Sequence, residues 1–236
     1  MTTSFRPCLS LLAVAATVLL AGTAPDAGAA PLNNGFTSQP FLDTPIGGTT
    51  VAARPELAGT VTADVNTAFA FGALSGHVQN RVVRETGTGT LDFYWRVVLD
   101  PSSTGVGISA LRLANFGYAN LTDADWSIDG LGSTAPDTAR LFNPATHPEG
   151  AINFLFGSPV DAGGDGSMFF FLHTDAVNFA QTASYDLIGG SGQDLSGLFS
   201  TFAPAAAVPE PTPASVLALG LLTLGWLRSR RARGND

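Results

Sequence analysis

Leu91-Asp92-Phe93-Tyr94-Trp95-Arg96-Val97-Val98-Leu99 is the stretch that decides the fold. Leu91, Phe93, Trp95, Val97 and Leu99 fall on one face, and Asp92, Tyr94 and Arg96 on the other. Such alternation specifies a half-buried antiparallel strand. Upstream, residues 76–85 alternate less perfectly, and Thr86-Gly87-Thr88-Gly89-Thr90 supplies glycines for a hairpin turn between the two runs. Working outward, the pattern predicts further strands at 60–65, 68–71, 107–115, 151–156, 168–173, 184–187 and 198–202. Met168-Phe169-Phe170-Phe171-Leu172 is apolar on both faces and therefore belongs in the middle of a sheet. Residues 32–50 and 129–149, rich in Gly, Pro, Thr and Asp, are expected to be long loops. The fold class predicted is all-β, an antiparallel β-sandwich of jelly-roll-like type, spanning residues 30–203.

Composition supports this. Of 236 residues, 45% are apolar and 13% charged, with 27 glycines and 15 prolines, too apolar for a disordered chain and too turn-rich for a helix bundle. All 11 basic side chains are arginine, against 19 carboxylates. Residues 30–207 hold six arginines and 16 carboxylates, a formal charge of −10. Such a surface excludes duplex nucleic acid as partner and suits solubility and divalent cations.

The two ends have another character. Residues 9–22 form an apolar run followed by Ala27-Gly28-Ala29, the small-x-small pattern of signal-peptidase cleavage, so 1–29 is expected to be a secretory signal peptide and the helix it would form is too short for a standard anchor. Its removal would take away Cys8, the only cysteine. At the other end, residues 204–213 are a Pro-rich linker in which Val208, Glu210 and Thr212 each precede a proline, and so favour extended backbone. An uncharged run, 214–227, follows. As a helix it covers about 21 Å, short of a bilayer core of about 30 Å, so a buried core helix competes on length alone. Arg228, Arg230, Arg231 and Arg233 decide for a single transmembrane helix with 228–236 as a basic cytoplasmic tail, because arginine stems snorkel and their charge fixes topology.

Val208-Pro209-Glu210-Pro211, a short apolar helix and a terminal arginine cluster, in that order and paired with a signal peptide, resemble the PEP-CTERM sorting signal. The resemblance covers residues 208–236. It implies an exosortase, a membrane-embedded cysteine transpeptidase-like enzyme of Gram-negative bacteria that make extracellular polysaccharide, as processing partner. It also implies transient inner-membrane anchoring, cleavage near Glu210, and delivery to the cell surface or extracellular matrix. It implies nothing about the upstream domain.

Within that domain, catalytic signals are sparse. No serine has glycine at both flanking positions of a Gly-x-Ser-x-Gly elbow. His77, His147 and His173 are too scattered to suggest a local metal site or triad. Asp123, Asp125 and Asp129, ahead of Gly130, match the front of a calcium loop, but the twelfth place is Pro136 instead of a bidentate glutamate, and a solvated strand face explains the same spacing. Asp161-Ala162-Gly163-Gly164-Asp165 resembles a single calcium-binding nonapeptide, or a simple turn. Tyr94 and Trp126 offer aromatic faces for a pyranose, with core packing as the alternative. The expectation is a non-enzymatic exported protein of structural or adhesive type without a cofactor. The alternatives are a module that binds or degrades extracellular polysaccharide and a calcium-stabilised module.

Overall fold

The computed structural model describes residues 30–206 apart from 33–35, 37–38, 163–165 and 193. The expected signal peptide, the Val208–Pro211 motif, the 214–227 helix and the arginines 228, 230, 231 and 233 lie outside the described residues. Among the described residues no helix is long and apolar enough to cross a membrane.

Among the described residues twelve strands run in chain order: β1 (Ala30–Pro31), β2 (Phe41–Pro45), β3 (Gly59–Phe71), β4 (Leu74–Glu85), β5 (Leu91–Leu99), β6 (Ile108–Ala114), β7 (Leu121–Trp126), β8 (Thr138–Phe142), β9 (Ile152–Val160), β10 (Phe170–Thr174), β11 (Phe179–Gly189) and β12 (Phe199–Pro204). They form two six-stranded antiparallel sheets, ordered β1-β7-β10-β5-β4-β3 and β12-β11-β6-β9-β8-β2. The architecture is all-β and consistent with a sandwich.

The period-two row of β5 points into the core, where Leu91, Phe93, Trp95, Val97 and Leu99 are all buried. Trp95 packs against Phe170 of its own sheet and Phe154 of the opposite one, with ring centroids 6.4 and 6.1 Å away. Its indole Nε1 donates to Thr201 Oγ1 at 2.9 Å, and that hydroxyl donates in turn to Asn80 Oδ1 at 2.9 Å. A polar chain thus ties β5, β12 and β4 together without leaving the indole N–H unpaired in the interior.

Three expectations need correction. The 60–65 and 68–71 runs are one continuous strand, β3, paired along its length with β4 across an irregularity between Val61 and Ala63. The expected loops 32–50 and 129–149 contain β2 and β8, which pair with each other. In β8, Ala139 and Leu141 are buried, a two-residue alternation too short to stand out. β2 is an edge strand, where Pro45 is tolerated because its missing N–H faces no neighbour. Finally, β5 is not half-buried. Asp92 and Tyr94, on its outer face, are covered as well.

The cover is residues 49–58, which cross the outside of the β7-β10-β5-β4 sheet. Thr49 is stitched to the end of β7, its N–H donating to Trp126 O at 2.8 Å and its carbonyl accepting from Ile128 N at 2.7 Å. Leu57, in the 3₁₀ turn Pro55–Leu57, packs on Tyr94, Phe169 and Phe171 as a small second core. That cover explains why the 168–172 run is apolar on both faces. β10 lies between β7 and β5, with Phe170 and Leu172 in the main core and Phe169 and Phe171 beneath the cover.

Candidate functional site

Register, not sequence proximity, assembles the site. On the outer face, Val83 of β4 stands opposite Asp92 of β5, Asp92 opposite His173 of β10, and His173 opposite Asp123 of β7. Side chains in such a cross-strand row lie about 5 Å apart and interact directly. Glu85, at the end of β4, joins the row because the 86–90 turn folds back on it: Thr90 Oγ1 donates to Glu85 Oε2 at 2.7 Å, Thr88 Oγ1 donates to the same oxygen, and Gly89 takes the positive φ of 76° that the turn requires.

His173 Nδ1 is 2.7 Å from Asp92 Oδ1 and 3.0 Å from Glu85 Oε1. Glu85 and Asp92 are 2% and 0% exposed, so both carboxylates have left water. Asp92 Oδ2 has no hydrogen-bond partner, and Glu85 Oε1 has none beyond its ion-pair contact with His173. Beside them Arg54, itself buried, clamps Asp123 with two hydrogen bonds of 3.0 and 3.2 Å and donates to Glu56 at 2.8 Å. Burial works against the Arg54 charge, but its bonds to Asp123 and Glu56 more than offset this and hold its pKa above the usual value. The same Arg54 bond holds Glu56 below the ordinary glutamate range.

Burial pushes Asp92 up to about 6 from an ordinary 3.8, against the lowering hydrogen bond from His173. For His173 burial favours the neutral ring, but Asp92, with Asp123 and Glu85 behind it, outweighs burial and raises the pKa above 6.5. Both shifts have the same consequence. The Asp92 penalty is absent below pH 3.8 and complete above about 6, whereas the His173 contribution is complete below pH 6.5 and lost as pH rises through its raised native value. In the presence of a chelator, the stability difference between the wild type and Asp92→Asn, read from melting temperatures, therefore shifts in favour of the wild type on going from pH 8 to pH 5, by about 1–2 kcal/mol. A difference that stays flat across that range contradicts the buried-carboxylate reading.

The residues singled out in the sequence are distributed around this centre. Asp123 is held by Arg54, Asp125 Oδ1 accepts from Gly48 N at 2.7 Å and Trp126 N at 2.9 Å, and Asp129 Oδ1 accepts from Leu131 N at 2.9 Å on the exposed surface. The three face different protein donors, with no shared point between them in these bonds. Burial raises the Asp125 pKa, with the two backbone bonds acting against it. Trp126 packs beneath the backbone of Gly48, where an added Cβ would lie 2.3 Å from the indole and φ is +81°, so only glycine fits. Tyr94 is buried, its ring 4.9 Å from Phe171 and edge-on to Phe169 at 6.2 Å. Burial takes its hydroxyl pKa well above 10.

Tyr94 and Asp129 do meet at a cleft of about 400 Å³ beside the covered row, lined also by Val51, Val61, Arg81 and Phe169. There the Arg81 guanidinium stacks 4.5 Å over the Phe169 ring and pairs with Asp64 at 2.8 Å.

Nothing local in the sequence announces the Glu85, Asp92 and His173 cluster. The available signal is indirect: His173 closes a run apolar on both faces, and Asp92 sits inside the strongest strand of the chain, both positions where an ionisable group must find a partner. Among the described residues these three are the side chains of ligand type whose donor atoms all lie within 4.8 Å of one another. No protein-family model, curated protein or solved structure matches the chain.

Proposed function

We propose that this chain is an exported protein of the bacterial cell surface or extracellular matrix, structural or adhesive in type and without catalytic activity, delivered by a PEP-CTERM-type tail that an exosortase-type enzyme processes at the inner membrane. The observation that carries the reading is the ordered tail itself: Val208-Pro209-Glu210-Pro211, the uncharged run 214–227, then Arg228, Arg230, Arg231 and Arg233. The last strand of the described residues, β12, ends at Pro204, four residues before the motif, which is consistent with a tail that can be removed without opening either described sheet. The formal charge of −10 on residues 30–207 suits a solvated matrix component bridged to acidic polysaccharide by cations. The jelly-roll-like part of the fold reading draws support from β5, β6, β7 and β8, which alternate between the two sheets, while β8–β9 and β11–β12 are plain hairpins.

The test is fractionation of producing cells expressing the wild type or Glu210→Ala, with a tag placed inside the domain. The wild type is expected as a form that has lost its tail, outside the inner membrane, and Glu210→Ala as a longer form that keeps its tail and stays in that membrane. Identical size and location of the two forms would remove the sorting reading. A second reading, a polysaccharide-binding module, is favoured by the Arg81, Tyr94 and Phe169 cleft, where a cation stacked on an aromatic ring borders an apolar floor.

A further inference from the structure

We propose that Glu85, Asp92 and His173 form a binding site for one divalent first-row transition ion, with zinc as the type. The site is built rather than accidental. Two carboxylates from neighbouring strands and an imidazole from a third are brought together by strand register, and Glu85 and Asp92 are almost wholly out of water. Asp92 Oδ2 has no hydrogen-bond partner, and Glu85 Oε1 faces only the His173 ring nitrogen, 3.0 Å away, which is already engaged by Asp92 Oδ1; buried oxygens so poorly met are costly unless a further positive charge reaches them. The second oxygen of Glu85 is held by Thr88 and Thr90, the outer support that ligating carboxylates usually receive.

Charge and spacing select the cation. With a neutral imidazole the three groups sum to −2, which a divalent ion cancels; a proton on His173 cancels half of it. Zinc bonds of about 2.0–2.2 Å in tetrahedral array place ligand atoms roughly 3.3 Å apart. The His173 Nδ1 separations of 2.7 and 3.0 Å from the two carboxylates reach that value with movements of a few tenths of an ångström. One nitrogen and carboxylate oxygens suit zinc or its neighbours, whereas calcium asks for six to eight oxygens. Of the three, His173 is the one in contact with solvent, its side chain 16% exposed against none for the two carboxylates.

The experiment uses the full chain, stripped with a chelator and titrated with zinc, with calcium as comparator. The expected result is one zinc per chain, a melting temperature raised by about 5–10 °C at roughly 100 times the dissociation constant, and no comparable response to calcium. Asp92→Asn and His173→Gln each weaken zinc binding by about 100-fold or more, while His147→Gln, remote in the fold, leaves it unchanged. X-ray absorption on the zinc-loaded wild type gives a shell of oxygen with a single imidazole, a readout that stands even where a variant fails to fold. No zinc binding up to about 100 μM, unchanged affinity in both site variants, or a shell with two or more imidazoles overturns the proposal.

Discussion

Replacing Trp95 by alanine is expected to cost about 4–5 kcal/mol, the upper part of the range for aromatic-to-alanine changes in a core. Trp95 is 1% exposed and packs against rings from both sheets, Phe154 and Phe170, and against Phe116 in the connection between β6 and β7. The cavity it would leave is walled by rigid strands that cannot collapse without breaking register. The loss is also polar, since Thr201 Oγ1 would lose the indole donor and keep only its own bond to Asn80. For a domain of this size the melting temperature should fall by about 10–20 °C. Trp95→Phe, which keeps much of the volume, should cost roughly 1–2 kcal/mol. Denaturant melts followed by circular dichroism would check the ordering, and equal losses in the two variants would show that Trp95 does not bridge the sheets as described.

Arg54→Ala carries the second large expected loss, about 3 kcal/mol. The arginine and Asp123 are both 7% exposed, so truncating the arginine strands a buried carboxylate beside Asp92 and Glu85 and adds to an already negative site. The loss lies at the low end for a broken buried pair because residues 49–58 lie on the outside of the sheet, where water can enter. Deleting both partners, Arg54→Ala with Asp123→Ala, should recover most of that loss by removing the orphaned charge. A double-mutant cycle measures it, and a coupling energy below about 0.5 kcal/mol would mean that Arg54 does not secure the cover.

These two positions differ in how far the sequence exposed them. Trp95 sits in the strand whose alternation runs over nine residues, so its inward direction was legible at once. The fate of the opposite face was not, because Asp92 and Tyr94 are buried by a segment some 35 residues upstream whose only marks are Pro55 and Leu57. Likewise β7, with Asp123 and Asp125 flanking Ala124, has the spacing of a solvated strand face or the front of a calcium loop, and only Arg54 and Gly48 reveal that both carboxylates answer to protein donors. β2 and β8 carry no such mark, because each is five residues long and is a strand only by pairing with its neighbours. His173 and Asp92 are 81 residues apart, and no local spacing rule joins residues brought side by side by sheet register.

The proposed account of the whole chain rests on its two ends, and the mass of the exported form tests it most directly. Intact-mass spectrometry of the protein recovered outside producing cells should give a species that begins at Ala30 and ends close to Glu210. Recovery of a chain that still carries the 214–227 run and the arginines after it, or of no extracellular form at all, would contradict the account.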